Sequence, residues 1–237
     1  MKRFLIWIPT YEGKLSTDLI MWLDNFKVPE WWAYSKAYVS RTPIHMARNI
    51  LVEKMLEWNF DYLIMFDDDQ LPMSKDAFFR LLVADKDMVV GCVRYRKKSQ
   101  YISICKKEKF EKEWAEWMRS YKPYKEIPSQ WLFQVDNAGT GMCCISRKVC
   151  EFMYKTYNKE PFESKSTTYT KQVDWEWREV GYNTAEPEPK DWKIQLVRRV
   201  LSEDYLFFER AISHWFELRA DWQAKAYHFG DPIRLEP

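Results

Sequence analysis

Short strand-like runs alternate with segments of helical periodicity over the first hundred residues, and this order restricts the possible folds most. The runs have the length of single strands and fall at residues 4–8, 33–39, 62–66 and 88–93. Helices are predicted between them at residues 15–26, 44–58 and 74–84. Such an alternation is typical of an α/β fold whose central, mostly parallel sheet is flanked by helices.

The run at residues 62–66 is apolar throughout and is bounded by Asp61 and Asp67, which favours a buried parallel strand. Two helix starts can be predicted from nearby residues. Thr42 and Pro43 suit the N-cap and first turn of the helix at 44–58. Ser74 suits the N-cap of the helix at 74–84.

The alternation loosens in the second half of the chain. Helices are predicted at residues 106–121, 147–157 and 203–215, and strands at 131–135, 142–146 and 216–220. Residues 158–200 are polar, aromatic and interrupted by prolines, which predicts an irregular segment or lid. We therefore expect one domain over residues 1–237, with a nucleotide-binding half at 1–100 and an acceptor half at 101–237.

The composition narrows the classes of function. The chain carries 37 basic and 35 acidic residues, so its net charge of +2 gives no reason to expect a nucleic-acid partner. The five cysteines include no Cys-x-x-Cys pair, which favours reduced thiols in the cytoplasm. Pro9 interrupts the first apolar run too early for a signal peptide, and no run approaches the ~20 apolar residues of a membrane span. Peripheral contact with a membrane surface through the aromatic segments stays open, as does the oligomeric state.

Three consecutive aspartates, Asp67, Asp68 and Asp69, follow the apolar run at 62–66. Side chains alternate along an extended strand, so Asp67 and Asp69 are expected on one side and Asp68 on the other. Ligands of open α/β sheets bind beyond the carboxyl ends of the strands. Two carboxylates in that place suit Mn²⁺ or Mg²⁺ bound together with a diphosphate, although a solvated acidic turn would show the same three residues.

Several motifs together resemble the glycosyltransferases of the GT-A (nucleotide-diphospho-sugar transferase) fold, particularly the inverting family 2 type. Each motif is short, but their order and spacing span nearly the whole chain. The motifs are residues 60–69 (FDYLIMFDDD), 47–49 (ARN), 139–142 (GTGM), 145–147 (ISR), 202–207 (SEDYLF), and His228 with Gly230. The segment at 158–200 has no counterpart in that family, so the acceptor is the least determined feature.

The resemblance implies a metal-dependent, hexosyltransferase-like enzyme with a UDP- or GDP-sugar donor and a glycan, protein or lipid-linked acceptor. In that family the metal would be held by Asp69 as the main ligand and by His228, and Asp67 would contact the nucleotide or share the ion. Asp204 would be the general base, and a carboxylate can serve so within hydrogen-bond reach of the acceptor hydroxyl. From the residues alone, Glu203 and Asp204 could equally stabilise the positive N-terminus of their helix.

The same resemblance implies which residues contact the donor. The loop after the first strand would line the nucleotide base and ribose, with Arg48, Asn49 and Asp68 adding contacts. Gly139, Thr140 and Gly141 would let the backbone approach the donor sugar, although a plain hairpin turn would use the same glycines. The loop residues concerned are Pro9, Thr10, Tyr11 and Glu12.

Two other functions remain open from the sequence. Magnesium-dependent phosphohydrolases also place aspartates after an apolar strand, but their Asp-x-Asp-x-Thr motif would need threonine where Leu71 stands. A domain that binds a nucleotide sugar or glycan without turnover is the non-enzymatic alternative. Release of phosphate from simple phosphoesters would favour the first, and binding without transfer would favour the second.

Overall fold

The computed structural model describes residues 1–10, 13–94, 103–107, 121–124, 130–163, 168–173, 176–181, 194–196 and 202–228. Within these ranges there is no helix with both the length and the apolar character needed to cross a membrane.

Fourteen strands and five helices occur within the described residues. The strands are β1 (Arg3–Thr10), β2 (Ala33–Ser40), β3 (Tyr62–Phe66), β4 (Gln70–Pro72), β5 (Met88–Val93), β6 (Ile104–Lys107), β7 (Tyr121–Pro123), β8 (Leu132–Gln134), β9 (Asn137–Ala138), β10 (Met142–Ser146), β11 (Thr168–Val173), β12 (Glu176–Gly181), β13 (Ile194–Leu196) and β14 (Leu218–His228). The helices are α1 (Thr17–Asn25), α2 (Ile44–Glu57), α3 (Ala77–Val83), α4 (Arg147–Thr156) and α5 (Glu203–Ser213).

An eight-stranded sheet forms the centre of the molecule in the order β2-β1-β3-β10-β5-β14-β4, with β8 also beside β14. β1 is parallel to β2 and β3, and β5 is parallel to β14. β10 is antiparallel to both of its neighbours, β3 and β5, so these two run in the same direction. The sheet is therefore mixed but mainly parallel, which confirms the fold class predicted from the sequence.

Helices cover both faces of this sheet, and the side chains of β1 show why. Phe4, Ile6 and Ile8 join one buried cluster with α1 and α3, whereas Leu5 and Trp7 join another with α2, α4 and α5. Neighbouring side chains of a strand point to opposite faces, so a strand that is apolar at every position fits only between two layers. Because β1 is parallel to both β2 and β3, the carboxyl ends of these three strands lie at one edge of the sheet.

Several predicted elements differ from the structure. Residues 106–107 belong to strand β6 and residue 121 begins β7, so the helix predicted over 106–121 is wrong at both ends, while 108–120 lie outside the described residues. The segment predicted to be irregular contains β11, β12 and β13, which form a separate antiparallel sheet. The last predicted strand continues well beyond residue 220, because a register shift between Asp221 and Lys225 lets it keep pairing with β5.

The predicted helix starts also need correction. Pro43 itself occupies the N-cap position of α2, and the Thr42 hydroxyl donates to the Ser40 carbonyl oxygen instead, at 3.1 Å. α3 begins at Ala77 with Asp76 at its N-cap, and the Ser74 hydroxyl donates to the Asp76 carboxylate. Ser74 therefore stabilises the turn before the helix and does not cap it.

The five cysteines are free thiols, and all five are buried. Burial raises the pKa of Cys92 and of Cys143 to about 12, and it also raises the pKa of Cys144 and Cys150. The thiolate is the reactive form, so these groups should be inert while the fold is intact. We expect Ellman's reagent at pH 8 to label fewer than about one thiol per chain within minutes, and all five after unfolding in guanidinium chloride. Rapid labelling of several thiols in the folded protein would contradict this packing.

Candidate functional site

A cavity of about 760 Å³ lies beyond the carboxyl ends of β1, β2 and β3. Because the three strands are parallel and adjacent, their ends meet at one edge of the sheet. The cavity is lined by Pro9, Thr10, Val39, Arg41, Thr42, Pro43, Ile44, Arg48, Asp67, Asp68 and Asp69. A concave site at this position of an α/β sheet is where ligands of such folds bind.

Asp67 is the residue that joins the end of β3 to the rest of the site. Its backbone N–H donates to the Gly141 carbonyl oxygen at 3.0 Å, which continues the β3–β10 ladder by one residue. Its side chain is 29% exposed and lines the cavity, and protein atoms surround the rest. Desolvation by burial, together with the charges of the neighbouring aspartates, raises the pKa of Asp67 to about 6 against the opposing charge of Arg48.

Arg48 lies on α2 beneath the cavity, with only 4% of its side chain exposed. Its Nη1 forms an ion pair with Glu203 Oε1, and its Nη2 lies 3.6 Å from Asp67 Oδ1. The guanidinium also stands over the ring of Phe162, 5.9 Å from its centroid. One planar cation with several donors can serve two carboxylates at once, so Arg48 connects the end of β3 to the start of α5.

Asp204 lies in the first turn of α5, where the helix N-terminus favours negative charge. Its Oδ1 accepts hydrogen bonds from the Ser202 hydroxyl and, at 2.7 Å, from the backbone N–H of Tyr205. The buried Asn137 also fixes this turn, because its Nδ2 donates to the Tyr205 carbonyl oxygen at 3.0 Å. A Cβ atom at Gly139 would lie 3.5 Å from Asp204 Oδ2, so the glycine turn and this carboxylate are neighbours.

The glycine turn joins β9 to β10 and is not a hairpin. β9 and β10, which flank it, pair with different partners, β6 for the first and β3 and β5 for the second. A Cβ at Gly141 would lie 2.3 Å from Gln70 Nε2 and 2.9 Å from Asp67 Oδ2, so a side chain there would have to displace the ends of both side chains. Thr140 is fully buried, and its hydroxyl has no hydrogen-bond partner among the described residues.

His228 reaches the same edge from the end of β14. Its Nδ1 lies 2.7 Å from the Arg94 carbonyl oxygen, and its Nε2 lies 3.5 Å from Gln70 Nε2. Gln70 Nε2 in turn donates to Asp67 Oδ2 at 3.3 Å. The amide of Gln70 thus stands between His228 and Asp67.

The remaining residues expected at the donor site are placed as follows. Pro9 and Thr10 line the cavity, whereas Tyr11, Glu12 and Gly230 lie outside the described residues. Asn49 is not among the lining residues: its amide holds the backbone of Phe162, with two hydrogen bonds of 2.8 Å.

The donor chemistry of this edge fits a hard divalent cation. Carboxylate oxygens of Asp67 and Asp69 and an imidazole nitrogen of His228 are ligand types that Mn²⁺ and Mg²⁺ accept. The described residues contain no group of three or more His, Cys, Asp or Glu side chains gathered closely enough to hold an ion. The amide of Gln70 between Asp67 and His228 is one visible reason for their separation.

This chain is similar to known proteins in its fold only. No sequence family and no curated protein matches the chain. The structure is similar to the crystal structure of A197 from STIV, with 21% identity, 97% of this chain and 86% of that chain covered, and a TM-score of 0.53. At this identity the likeness shows a shared fold and nothing more specific.

Two further solved structures are more distant. Mannose-1-phosphate geranyltransferase from Thermus thermophilus is 9% identical, over 65% of this chain and 60% of that chain, with a TM-score of 0.39. The 4-diphosphocytidyl-2C-methyl-D-erythritol synthase from Anaerococcus prevotii is 11% identical, over 68% and 78%, with a TM-score of 0.40. Both scores are too low to carry an argument about this chain.

Replacing Arg48 should destabilise the protein strongly. Arg48→Met leaves Glu203 and Asp67 without their shared counter-charge, and breaking a buried pair on one side typically costs several kcal/mol. Because the two carboxylates are partly exposed, we expect a loss of about 2–4 kcal/mol in urea denaturation. Arg41→Met, at an exposed arginine of the same cavity, should stay within about 0.5 kcal/mol of the wild type. Equal losses in the two variants would contradict the role given to Arg48.

Replacing Asp67 should have the opposite effect at neutral pH. A carboxyl whose pKa rises on folding favours the folded state at low pH, and that contribution is lost as the pH rises through about 6. Asp67→Asn should therefore raise the free energy of unfolding by about 1–2 kcal/mol at pH 7.5 in chelator-containing buffer, and by almost nothing near pH 4. Asp24→Asn, at an exposed aspartate, is the control. A destabilised Asp67→Asn at pH 7.5 would refute the argument.

Proposed function

We propose that this protein is a metal-dependent glycosyltransferase that moves a sugar from a nucleotide-diphosphate donor to an acceptor hydroxyl. The observation that carries the proposal is that Asp67 belongs to the cavity lining and also contacts the glycine turn. The aspartates after β3 and the end of β1 line the cavity, whereas the glycine turn, which is hydrogen-bonded to Asp67 and lies beside Asp204, is not among the lining residues. This arrangement supports neighbouring sites for a nucleotide, a diphosphate-bound cation and a base.

Asp69 and Asp67 would hold the divalent cation, together with His228. When bound, the cation offsets the negative charge of the diphosphate and of the leaving group. The base and ribose of the donor would lie against Pro9 and Thr10, with Arg48 beneath them. The same cavity would accept a UDP- or a GDP-sugar, and the test below includes both.

Asp204 would act as the general base. Its Oδ1 accepts hydrogen bonds from the Ser202 hydroxyl and the Tyr205 N–H, whereas its Oδ2 faces the glycine turn, where the donor sugar would lie. The acceptor hydroxyl gives its proton to this carboxylate while its oxygen bonds to the anomeric carbon. The bond from that carbon to the diphosphate breaks, and its electron pair leaves with the nucleotide. Attack from the side opposite the leaving group inverts the anomeric configuration.

The test is hydrolysis and transfer from a panel of UDP- and GDP-sugars, each with Mn²⁺ and with chelator. We expect cation-dependent release of nucleoside diphosphate from at least one donor. Asp69→Asn should lower this rate at least on the order of a hundredfold, and Asp204→Asn should lower it by about 10²–10⁴, the usual contribution of a general base. Asp24→Asn again serves as the exposed control.

Three results would count against the proposal. Full turnover by Asp204→Asn would refute the role of Asp204 as the base. Equal rates with Mn²⁺ and with chelator would refute the requirement for a cation. Release of phosphate from simple phosphoesters, with every nucleotide sugar left intact, would favour a phosphohydrolase instead.

A further inference from the structure

The side chain of Gln70 is buried between two predicted metal ligands. Only 2% of this residue is exposed. Its amide nitrogen lies 3.3 Å from Asp67 Oδ2 and 3.5 Å from His228 Nε2. An amide NH₂ group has two hydrogens, so it can donate to both neighbours at once.

The hydrogen bond of His228 Nδ1 determines whether the other ring nitrogen, Nε2, presents a proton or a lone pair to Gln70. The Arg94 carbonyl oxygen, 2.7 Å from Nδ1, can only accept, so Nδ1 carries the proton. In the neutral ring Nε2 then presents its lone pair to the Gln70 amide. Asp67 Oδ2 likewise presents a lone pair. The amide nitrogen therefore contacts the same two atoms that would bind a cation.

The orientation of the amide follows from this chemistry. With oxygen and nitrogen exchanged, the amide oxygen would face a carboxylate oxygen and an imidazole lone pair, which are both acceptors. In the orientation seen, Gln70 Oε1 is buried without a hydrogen-bond partner among the described residues. Asp67 and His228 thus provide the hydrogen bonds of this buried side chain.

Two features of the fold determine the position of the Gln70 side chain. Gln70 and His228 are directly opposite in the antiparallel β4–β14 ladder, and opposite side chains of such a pair are neighbours on one face. Across the site, the missing Cβ of Gly141 makes room, since a Cβ there would stand 2.3 Å from the amide nitrogen.

We propose that the Gln70 amide competes with the divalent cation for Asp67 and His228 and thereby sets the affinity of the site. The inference rests on the cation of the proposed function. Bonds from Mg²⁺ to its ligands are about 2.0–2.1 Å long, much shorter than the two contacts of the amide. Asp67 and His228 can hold one ion together only after the amide has moved out from between them. The side chain of Gln70 therefore moves each time a cation binds and each time it is released.

The test measures Mn²⁺ binding directly, by the loss of the electron paramagnetic resonance signal of free Mn²⁺, without any sugar donor. Gln70→Ala removes the competing hydrogen bonds, so we expect binding to tighten about threefold to tenfold. Gln70→Glu keeps the shape and adds a carboxylate, so we expect a larger gain. Gln134→Ala, at an exposed glutamine of β8, should bind as the wild type does.

A double variant tests whether the Gln70 amide competes with the cation for His228. In a His228→Ala background, Gln70→Ala should tighten binding less than it does when His228 is present, because one of the two contested atoms is gone. Circular dichroism and thermal melting show whether each variant is folded, and Gln70→Glu gives the answer if Gln70→Ala does not fold.

The outcomes separate this inference from the proposed function. Unchanged or weaker binding by Gln70→Ala and Gln70→Glu, with a wild type that binds Mn²⁺, overturns the inference and leaves the function standing. Tighter binding by these variants, with no sugar released from any donor, supports the inference and overturns the function. The absence of Mn²⁺ binding in every variant overturns the inference and the cation site together.

Discussion

The buried guanidinium of Arg48 is the interaction on which the geometry of the site depends. It joins Glu203 at the start of α5 to Asp67 at the end of β3, elements that are far apart in the chain. A cation with 4% of its side chain exposed has lost most of its water, so both carboxylates must stay close to it. A shift of α5 that moved Asp204 away from the glycine turn would first have to break this pair. The positions of Asp67 and Asp204, the proposed cation ligand and the proposed base, are thereby coupled through one side chain.

The same arginine explains how the fold tolerates so much negative charge at one edge. Desolvation by burial, and then the charges of Asp69, Asp204 and Asp68, raise the pKa of the Asp67 carboxyl, and Arg48 is the cation among the described residues that lowers it. The compensation is incomplete, since the pKa of Asp67 still lies at about 6. A carboxylate that burial and repulsion destabilise is stabilised by any cation that binds beside it.

Much of the fold could be predicted from the sequence because its signals are local. The bounds of β3, β5 and β10 agree with the prediction, since each is a short apolar run with four to six consecutive buried residues, as a strand inside a sheet requires. The strand at the end of the chain is longer than its sequence predicts. β14 carries a register shift at Asp221, and its later half mixes polar and aromatic residues, so no simple alternation marks its continuation.

Some residues of the candidate site could likewise be predicted from local sequence signals, and others could not. Asp67, Asp69 and Asp204 follow elements that the sequence reveals, so their neighbourhood could be inferred from the ends of strands and helices. Gln70 and Glu203 could not, because their decisive partners are 158 and 155 residues away and nothing in the local sequence identifies them. The one signal available for Glu203 was its place beside Asp204, and that signal allowed either residue to be the functional one.

Strand register decides whether the cation site exists at all. β4 has three residues, and its pairing with β14 puts Gln70 opposite His228 and Leu71 opposite Tyr227. A slip by one residue would turn His228 to the other face of the sheet and put Tyr227 beside Gln70. The pairing is held by backbone contacts at its far end, where the Met73 N–H donates to the Lys225 carbonyl oxygen at 2.8 Å. The proximity of positions 70 and 228 is therefore a consequence of backbone pairing, and this pairing does not depend on the side chain of residue 70. Substitution of Gln70 is thus expected to remove its amide contacts without changing the strand register that brings the two positions together.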